Sequence, residues 1–109
     1  MKTGYLLLLI FLISLVFVSG CIKSAEPDQT IIDACTQACK DALAANKSLE
    51  SGPCLLDPIP QNTDWVCDVA HSPRQAIDKQ LENQCYSYRD GMANHFVEIM
   101  PDCQLIRAN

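Results

Sequence analysis

The chain has 109 residues, and its 13 acidic residues outnumber its 8 Lys and Arg residues, which gives a formal net charge of −5. The basic residues form no cluster or stripe, so the composition excludes a nucleic-acid partner, which requires a positively charged surface. Seven cysteines in so short a chain indicate that covalent cross-links contribute to the fold.

The N-terminal segment has the layout of a secretory signal. Lys2 supplies a positive charge, residues 5–18 are apolar apart from Ser14, and two small residues precede Cys21. This run of 14 residues has the length of a signal-peptide core and is shorter than the ~20 residues that a membrane-spanning helix needs. The segment therefore predicts export from the cytoplasm.

The four residues Val18, Ser19, Gly20 and Cys21 resemble the lipobox of prokaryotic lipoproteins, which is an aliphatic residue, two small residues and a cysteine. In that family a diacylglycerol is attached to the cysteine sulfur and the chain is cut just before it. The resemblance implies a lipid anchor at Cys21 and a location on the extracytoplasmic face of the cell membrane. The alternative is an uncleaved anchor over about residues 4–22, which also places the remaining chain outside the cytoplasm.

The predicted organisation has three parts. Residues 1–20 are the signal peptide, residues 21–29 are the lipidated cysteine and a polar tether, and residues 30–109 form one globular domain. Lys2 is the only charged residue before Cys21, so seven Lys and Arg residues stand against thirteen acidic residues in the rest of the chain. Only 22 of those 89 residues are large aliphatic or aromatic, and so small a core is marginal without further cross-links.

The remaining cysteines form an even set. If Cys21 carries the lipid, six are left, namely Cys35, Cys39, Cys54, Cys67, Cys85 and Cys103. In an exported domain of this size they predict three disulfides, although six cysteines allow 15 pairings and the sequence does not choose among them. Structural zinc sites usually contain more closely spaced cysteine pairs than any found in this sequence. We therefore expect neither a metal site nor another cofactor.

Residues 30–46 have the spacing of an amphipathic helix, with Thr30 as its N-cap. The predicted buried face consists of Ile32, Cys35, Cys39, Ala42 and Leu43, with Ile31, Ala38 and Ala45 at its edge. Two cysteines one turn apart point in the same direction and are poorly placed to bond to each other. We expect each of them to join the helix to a different strand or loop.

The middle of the chain predicts a loop, a strand and a short helix. Residues 48–63 contain three prolines and a glycine, and they read as an ordered loop that Cys54 holds in place. Residues 64–70 alternate as a strand does, with Trp65, Cys67 and Val69 on one face and Val66, Asp68 and Ala70 on the other. Residues 73–82, with Ser72 as N-cap, predict a short helix.

Residues 85–89 and 95–100 are compatible with a β-hairpin around Asp90-Gly91, and the alternative for the first segment is a short helical turn that Gly91 ends. Residues 104–107 predict a last short strand. The expected fold is therefore a small disulfide-rich α+β domain, in which one main helix packs on a short antiparallel sheet.

The side chains that carry chemistry do not form a recognisable motif. His71 and His95 are the two histidines, and a nucleophilic cysteine beside either of them would need a free thiol, which the even cysteine count argues against. The carboxylates that could pair for acid–base catalysis are Asp57, Asp64, Asp68 and Glu98, and nothing in their spacing distinguishes them. No catalytic residue is predicted.

Two further features concern the surface. Asn46 begins an Asn-Lys-Ser triplet that fits the acceptor pattern for N-glycosylation. Among the aromatic residues, we expect Trp65 and Phe96 to fill the core, whereas exposure of Tyr86 and Tyr88 beside them would make a contact patch for a partner.

Residues 64–74 and 95–103 look similar to small cysteine-rich exported proteins, for which archaea are a suggested source. The resemblance implies no activity and no functional residue. Taken together, the sequence predicts a lipid-anchored protein with a non-catalytic binding or structural role in the envelope and an envelope protein as a partner. The alternatives are a small exported enzyme or redox protein that uses His71 or His95 with nearby acids, and an inhibitor or capture module for a soluble protein.

Overall fold

The structure, a computed structural model, describes residues 27–109. Helix α1 (Gln29–Ala44) is followed by strands β1 (Cys54–Leu56), β2 (Trp65–Val69), β3 (His95–Ile99) and β4 (Leu105–Ala108). Two 3-10 helices (Ala76–Lys79 and Leu81–Asn83) and the short helix α2 (Tyr86–Arg89) connect β2 to β3. The predicted fold class is confirmed, because one main helix packs against a four-stranded sheet and three disulfides link the parts.

The predicted signal peptide, the lipobox and Cys21 lie outside the described residues. Within residues 27–109, no helix combines the length and the apolar character that crossing a bilayer requires.

Helix α1 begins earlier than predicted and is rotated slightly. Its N-cap is Asp28 rather than Thr30, because the Asp28 carboxylate accepts a hydrogen bond from the Thr30 backbone N–H at 3.0 Å, which lowers the pKa of Asp28. Gln29, expected in the tether, is the first residue of the helix. The buried residues are Ile31, Cys35, Cys39 and Ala42, whereas Leu43 is 42% exposed. The two cysteines therefore define the buried stripe, and Ile31 rather than Ile32 lies on it.

The sheet has the order β1-β2-β3-β4. Its two outer strand pairs are antiparallel, but the central pair β2–β3 is parallel, so the expectation of a wholly antiparallel sheet is wrong for this pair. A parallel pair needs a crossover connection, which residues 70–94 supply. The hairpin around Asp90-Gly91 is absent from this region, since Tyr86–Arg89 is helical and Gly91 follows with a φ of +77°. The helical alternative for this segment is therefore correct.

The six cysteines of the domain form three disulfides, namely Cys35–Cys67, Cys39–Cys103 and Cys54–Cys85. The first joins α1 to β2, and the second joins α1 to the turn between β3 and β4. The third joins β1 to the residue before α2. The expectation that the two helix cysteines bond to different elements is confirmed.

Two other segments differ from expectation. The loop predicted over residues 48–63 contains strand β1, whose three residues pair with β2. The helix predicted over residues 73–82 is replaced by two 3-10 helices, and the first begins after Gln75 rather than after Ser72. The reason lies in the Asp78 carboxylate, which accepts hydrogen bonds from the backbone N–H groups of Gln75 and His71 and so fixes a tighter turn. Strand β4 confirms the predicted last strand, shifted by one residue toward the C-terminus.

The two faces of the sheet differ in character. The face toward α1 carries the main core, with Trp65, Cys67, Val69, Val97 and Ile99 buried together with the helix residues. On the opposite face, in-register neighbours of β2 and β3 are Val66 beside Phe96 and Asp68 beside Glu98. The predicted alternation of β2 is confirmed. It places a second, mixed polar and apolar surface behind the core.

Candidate functional site

A pocket of about 390 Å³ lies on the face of the sheet opposite α1. This volume is within the range of small-molecule sites in proteins. Its lining residues are Val66, Asp68, Arg74, Gln84, Cys85, Tyr88, Arg89, Phe96, Glu98 and Arg107. Strands β2, β3 and β4 provide the floor, and the crossover with α2 provides the wall. We call this site the arginine pocket.

The arginine pocket contains every arginine of the chain. Arg74 follows β2, Arg89 ends α2 and Arg107 lies in β4, so three separate elements bring them together. The domain as a whole is acidic, with more Asp and Glu than Lys and Arg. A cluster of guanidinium groups in such a domain is a local reversal of charge. Guanidinium groups bind carboxylates and phosphates through a planar fork of donors.

Glu98 organises two of the three guanidinium groups. Its carboxylate accepts a hydrogen bond from Nη1 of Arg74 at 2.9 Å and another from Nε of Arg107 at 2.6 Å. Glu98 is only 5% exposed, whereas both arginine side chains reach solvent. Among residues 27–109, the two terminal nitrogens of Arg107 have no hydrogen-bond partner. These donors remain available to a ligand.

Asp68 is the unusual carboxyl group of the pocket. Its Oδ1 atom is buried and has no hydrogen-bond partner in the described part of the chain. Burial raises the pKa of Asp68 to about 8, and the neighbouring Glu98 carboxylate adds to the rise while Arg74 opposes it. Asp68 is therefore mainly protonated at neutral pH, and its O–H group is a hydrogen-bond donor.

Aromatic rings form the apolar part of the pocket. Phe96 contacts Tyr88 edge to face, with 5.0 Å between the ring centroids, and the Arg107 guanidinium lies 5.1 Å from the Phe96 centroid. Phe96 is half-buried here and does not fill the main core as expected, whereas Trp65 does. Tyr86 lies outside the pocket, is exposed, and contacts the Arg89 guanidinium.

His71 belongs to a different cluster. Its Nδ1 atom lies 2.9 Å from Oδ1 of Asp78, and its Nε2 atom lies 3.6 Å from Oε2 of Glu50. The hydrogen bond with Asp78 raises the pKa of His71, an effect that partial burial opposes. Burial alone would raise the pKa of Asp78, but hydrogen bonds from the Gln75 backbone and from His71 hold it below its usual value. Gly52 has a φ of +68°, and a Cβ there would lie 2.6 Å from the Asp78 carboxylate.

His95 lies apart from both the arginine pocket and the His71 cluster. Its ring stacks on Trp65 with 4.7 Å between centroids, and its Nε2 atom lies 3.4 Å from Oδ2 of Asp64. Asp64 also accepts hydrogen bonds from the backbone and side chain of Asn94. Neither histidine lines the arginine pocket. The structure thus gives each histidine an acidic neighbour and separates both from Asp68.

One group of metal-type ligands occurs among residues 27–109, and it consists of Cys54, Asp57 and Cys85. Both cysteines are joined in a disulfide, so neither supplies a thiolate for a metal. The Asp57 carboxylate instead accepts a hydrogen bond from the Ser87 backbone N–H, at the start of α2. Asn46, the candidate glycosylation residue, is exposed just after α1 with a φ of +61°.

The sequence identified only part of this site. Asp68 and Glu98 were among four candidate carboxylates, and the structure brings these two together while placing Asp57 and Asp64 elsewhere. The three arginines were not identified, because they are 15 and 18 positions apart and only the tertiary fold joins them. The available signal was strand alternation, which puts Asp68 on the face opposite the apolar residues of β2.

Searches against protein-family models, curated proteins and solved structures found no match to this chain. A functional proposal therefore depends on the residues of the sites themselves, since a fold does not by itself determine a function.

Proposed function

We propose that this chain is a lipid-anchored protein of the extracytoplasmic face of the cell membrane and that its folded domain binds a small organic anion without catalysis. Two features support the location. Residues 18–21 resemble a lipobox, and three disulfides suit an oxidising compartment. The binding site is the arginine pocket.

The observation that carries the binding role is the collection of all three arginines in one pocket of an acidic domain. Like charges repel, so bringing three arginines together favours the binding of an anion in addition to Glu98. Glu98 engages one nitrogen each of Arg74 and Arg107, while a guanidinium group offers five N–H donors. The pocket therefore has unused donors for a ligand, and Phe96 and Tyr88 offer apolar contacts for its body.

The short connection to the membrane restricts where the ligand is met. Because Asp28 caps α1, only six residues separate it from Cys21, and six residues span at most about 22 Å. The domain would stand close to the lipid surface. A ligand that reaches the arginine pocket therefore binds at the membrane, either from solution or from an envelope partner.

The anchor is tested on the full chain expressed in a prokaryotic host. Intact mass spectrometry of the membrane fraction should show loss of residues 1–20, addition of a diacylglycerol and the absence of six hydrogens in the disulfides. The Cys21→Ser variant should lose the acyl mass and leave the membrane fraction. A wild-type protein that keeps its leader and an unmodified Cys21 would contradict the lipoprotein assignment.

Anion binding is tested by isothermal titration calorimetry on the anchored protein in non-ionic detergent. Benzoate and phenyl phosphate serve as anionic probes, and benzamide serves as the uncharged control. The Arg89→Gln variant should weaken binding at least about tenfold, since a charge-assisted hydrogen bond contributes about 1.5–3 kcal/mol. Lys40→Gln removes the same charge from the exposed face of α1 and should have little effect.

The binding proposal fails if benzamide binds as tightly as benzoate, or if Arg89→Gln and Lys40→Gln weaken binding equally. The first result would mean that charge is not recognised. The second would mean that only the overall charge of the domain matters, and not the pocket.

A second candidate function is a small exported enzyme that uses His71. One observation favours it, namely the 2.9 Å contact between His71 Nδ1 and the buried Asp78 carboxylate, which orients an imidazole as in acid–base sites. The Nε2 atom faces Glu50 rather than a nucleophile. Turnover of p-nitrophenyl esters by the wild type, lost in His71→Gln but kept in His95→Gln, would support this candidate over the binding role.

A further inference from the structure

Asp68 and Glu98 are direct neighbours on parallel strands and point to the same face of the sheet. Glu98 is held by two guanidinium groups, whereas the buried Oδ1 atom of Asp68 has no partner in the described part of the chain. A buried polar atom without a hydrogen-bond partner lowers the stability of the fold. The Asp68 side chain also lines the arginine pocket, so its carboxyl group lies beside any ligand that binds there.

We infer that the arginine pocket binds its anion together with one proton, which the Asp68 carboxyl group carries and donates as a hydrogen bond to an oxygen of the ligand. The arginines bind the remaining oxygens of the same anionic group. This inference rests on the proposed function, and it narrows the ligand to an organic acid whose anionic group, a carboxylate or a phosphate monoester, is attached to a flat apolar body.

The groups around Asp68 explain why a proton accompanies the anion. Glu98 on β3 and Asp78 on the first 3-10 helix raise the pKa of Asp68 by their negative charge, in addition to burial, and Arg74 opposes them. The other charged groups of the pocket are Arg89 on α2 and Arg107 on β4. A bound anion adds one more negative charge, so it raises the pKa of Asp68 further and draws a proton from solvent at alkaline pH.

The apolar side chains that line the arginine pocket explain why its ligand should have a flat apolar body. Val66 and Phe96 form part of the sheet floor, and Tyr88 meets Phe96 edge to face at 5.0 Å. Flat rings contact such walls through offset or edge-to-face packing. The Arg107 guanidinium, stacked 5.1 Å from the Phe96 centroid, keeps its two terminal nitrogens beside this apolar surface. An aromatic acid would use both features at once.

Calorimetry on the anchored wild-type protein tests the inference, with benzoate as the main probe because it does not titrate near pH 8. The binding enthalpy is measured at about pH 8 in two buffers that differ in ionisation enthalpy, which yields the number of protons taken up. We expect net proton uptake, and a fall in benzoate affinity of up to about tenfold between pH 7 and pH 9 as Asp68 ionises. Phenyl phosphate in parallel distinguishes a phosphate preference from a carboxylate preference.

The Asp68→Asn variant keeps an uncharged side chain of the same shape. It should bind benzoate with no proton uptake and with an affinity that is nearly constant over the same pH range. Asp41→Asn, on the exposed face of α1, is the matched control and should behave as the wild type does. If Asp68→Asn does not fold, the number of protons that the wild type takes up on binding benzoate tests the inference without the variant.

Three results would overturn the inference, and they do so in two different ways. Benzoate binding without proton uptake, or a pH dependence that Asp68→Asn retains, would remove the role of Asp68 and leave the anion-binding function standing. Failure of every anion to bind the wild type would remove both.

Discussion

The two faces of the β2–β3 pair bury different kinds of side chain. The face toward α1 buries Cys67, Val69, Val97 and Ile99 and is joined to the helix by a disulfide. The opposite face buries the Glu98 carboxylate among guanidinium groups. Because side chains alternate along a strand, five residues of each strand supply both surfaces.

The difference shows how a small domain can carry a polar pocket. Buried carboxyl groups such as those of Asp68 and Glu98 lower stability unless they are fully paired. With so few large apolar side chains, the core on the α1 face leaves only a small margin to offset that loss. Disulfides stabilise the fold mainly by restricting the unfolded chain. The cross-links therefore make a polar face compatible with a folded domain of this size.

The largest effect is expected from removing disulfides on either side of the sheet. Cys39–Cys103 spans 64 residues and fixes α1, and Cys54–Cys85 spans 31 residues and borders the arginine pocket. Each double alanine variant should lose about 3–4 kcal/mol of unfolding free energy, with the longer loop losing slightly more. Denaturation with urea measures this loss.

Benzoate affinity separates the two variants. Cys85 directly precedes α2, which carries Tyr88 and Arg89, so loss of Cys54–Cys85 should weaken binding under conditions where the protein is still folded. Loss of Cys39–Cys103 should not. Equal weakening in both variants would show that the two faces are not independent, and no weakening in either would show that Cys54–Cys85 does not hold the pocket in shape.

Local patterns predicted a large part of this fold. The 3.6-residue period identified α1, the spacing of Cys35 and Cys39 predicted bonds to two different elements, and the alternation of residues 64–70 identified β2 and its faces. The choice between Ile31 and Ile32 was not predictable, because both fit an apolar stripe that contains Cys35 and Cys39.

Features that depend on distant residues were not predictable. The Asp90-Gly91 pair is a strong hairpin signal, yet the crossover before β3 makes the β2–β3 pair parallel and leaves Gly91 at the end of α2. The arginine pocket combines residues from β2, β3, β4, α2 and the crossover, and no local pattern links Arg74 to Arg107. Its chemistry exists only in the tertiary structure.

A smaller effect on stability is expected from Glu98→Gln, which changes only the face of the sheet opposite α1. The variant leaves Arg74 and Arg107 without their carboxylate, so the unfolding free energy should fall by about 1–3 kcal/mol. Benzoate affinity should rise severalfold, because the internal anion no longer competes for the guanidinium groups. Glu82→Gln, at an exposed position, is the control. Lower affinity in Glu98→Gln would instead mean that Glu98 positions the arginines for the ligand.

The smallest effect concerns His71, which lies in neither face. Its hydrogen bond with Asp78 raises the pKa of His71 on folding. The protonated form is therefore favoured in the folded state, and the resulting stability is complete below the unfolded pKa of about 6.5 and is lost as pH rises through the folded value. The wild type should exceed His71→Gln in stability by on the order of 1 kcal/mol at about pH 5.5, and by less at about pH 8.5. Urea midpoints at both pH values measure this difference, and His95→Gln controls for loss of an imidazole.

The wild type could also keep the same stability advantage over His71→Gln as pH rises. That result would show that His71 contributes through packing and not through its charge. Benzoate affinity should be unchanged in His71→Gln in either case, because His71 does not line the arginine pocket.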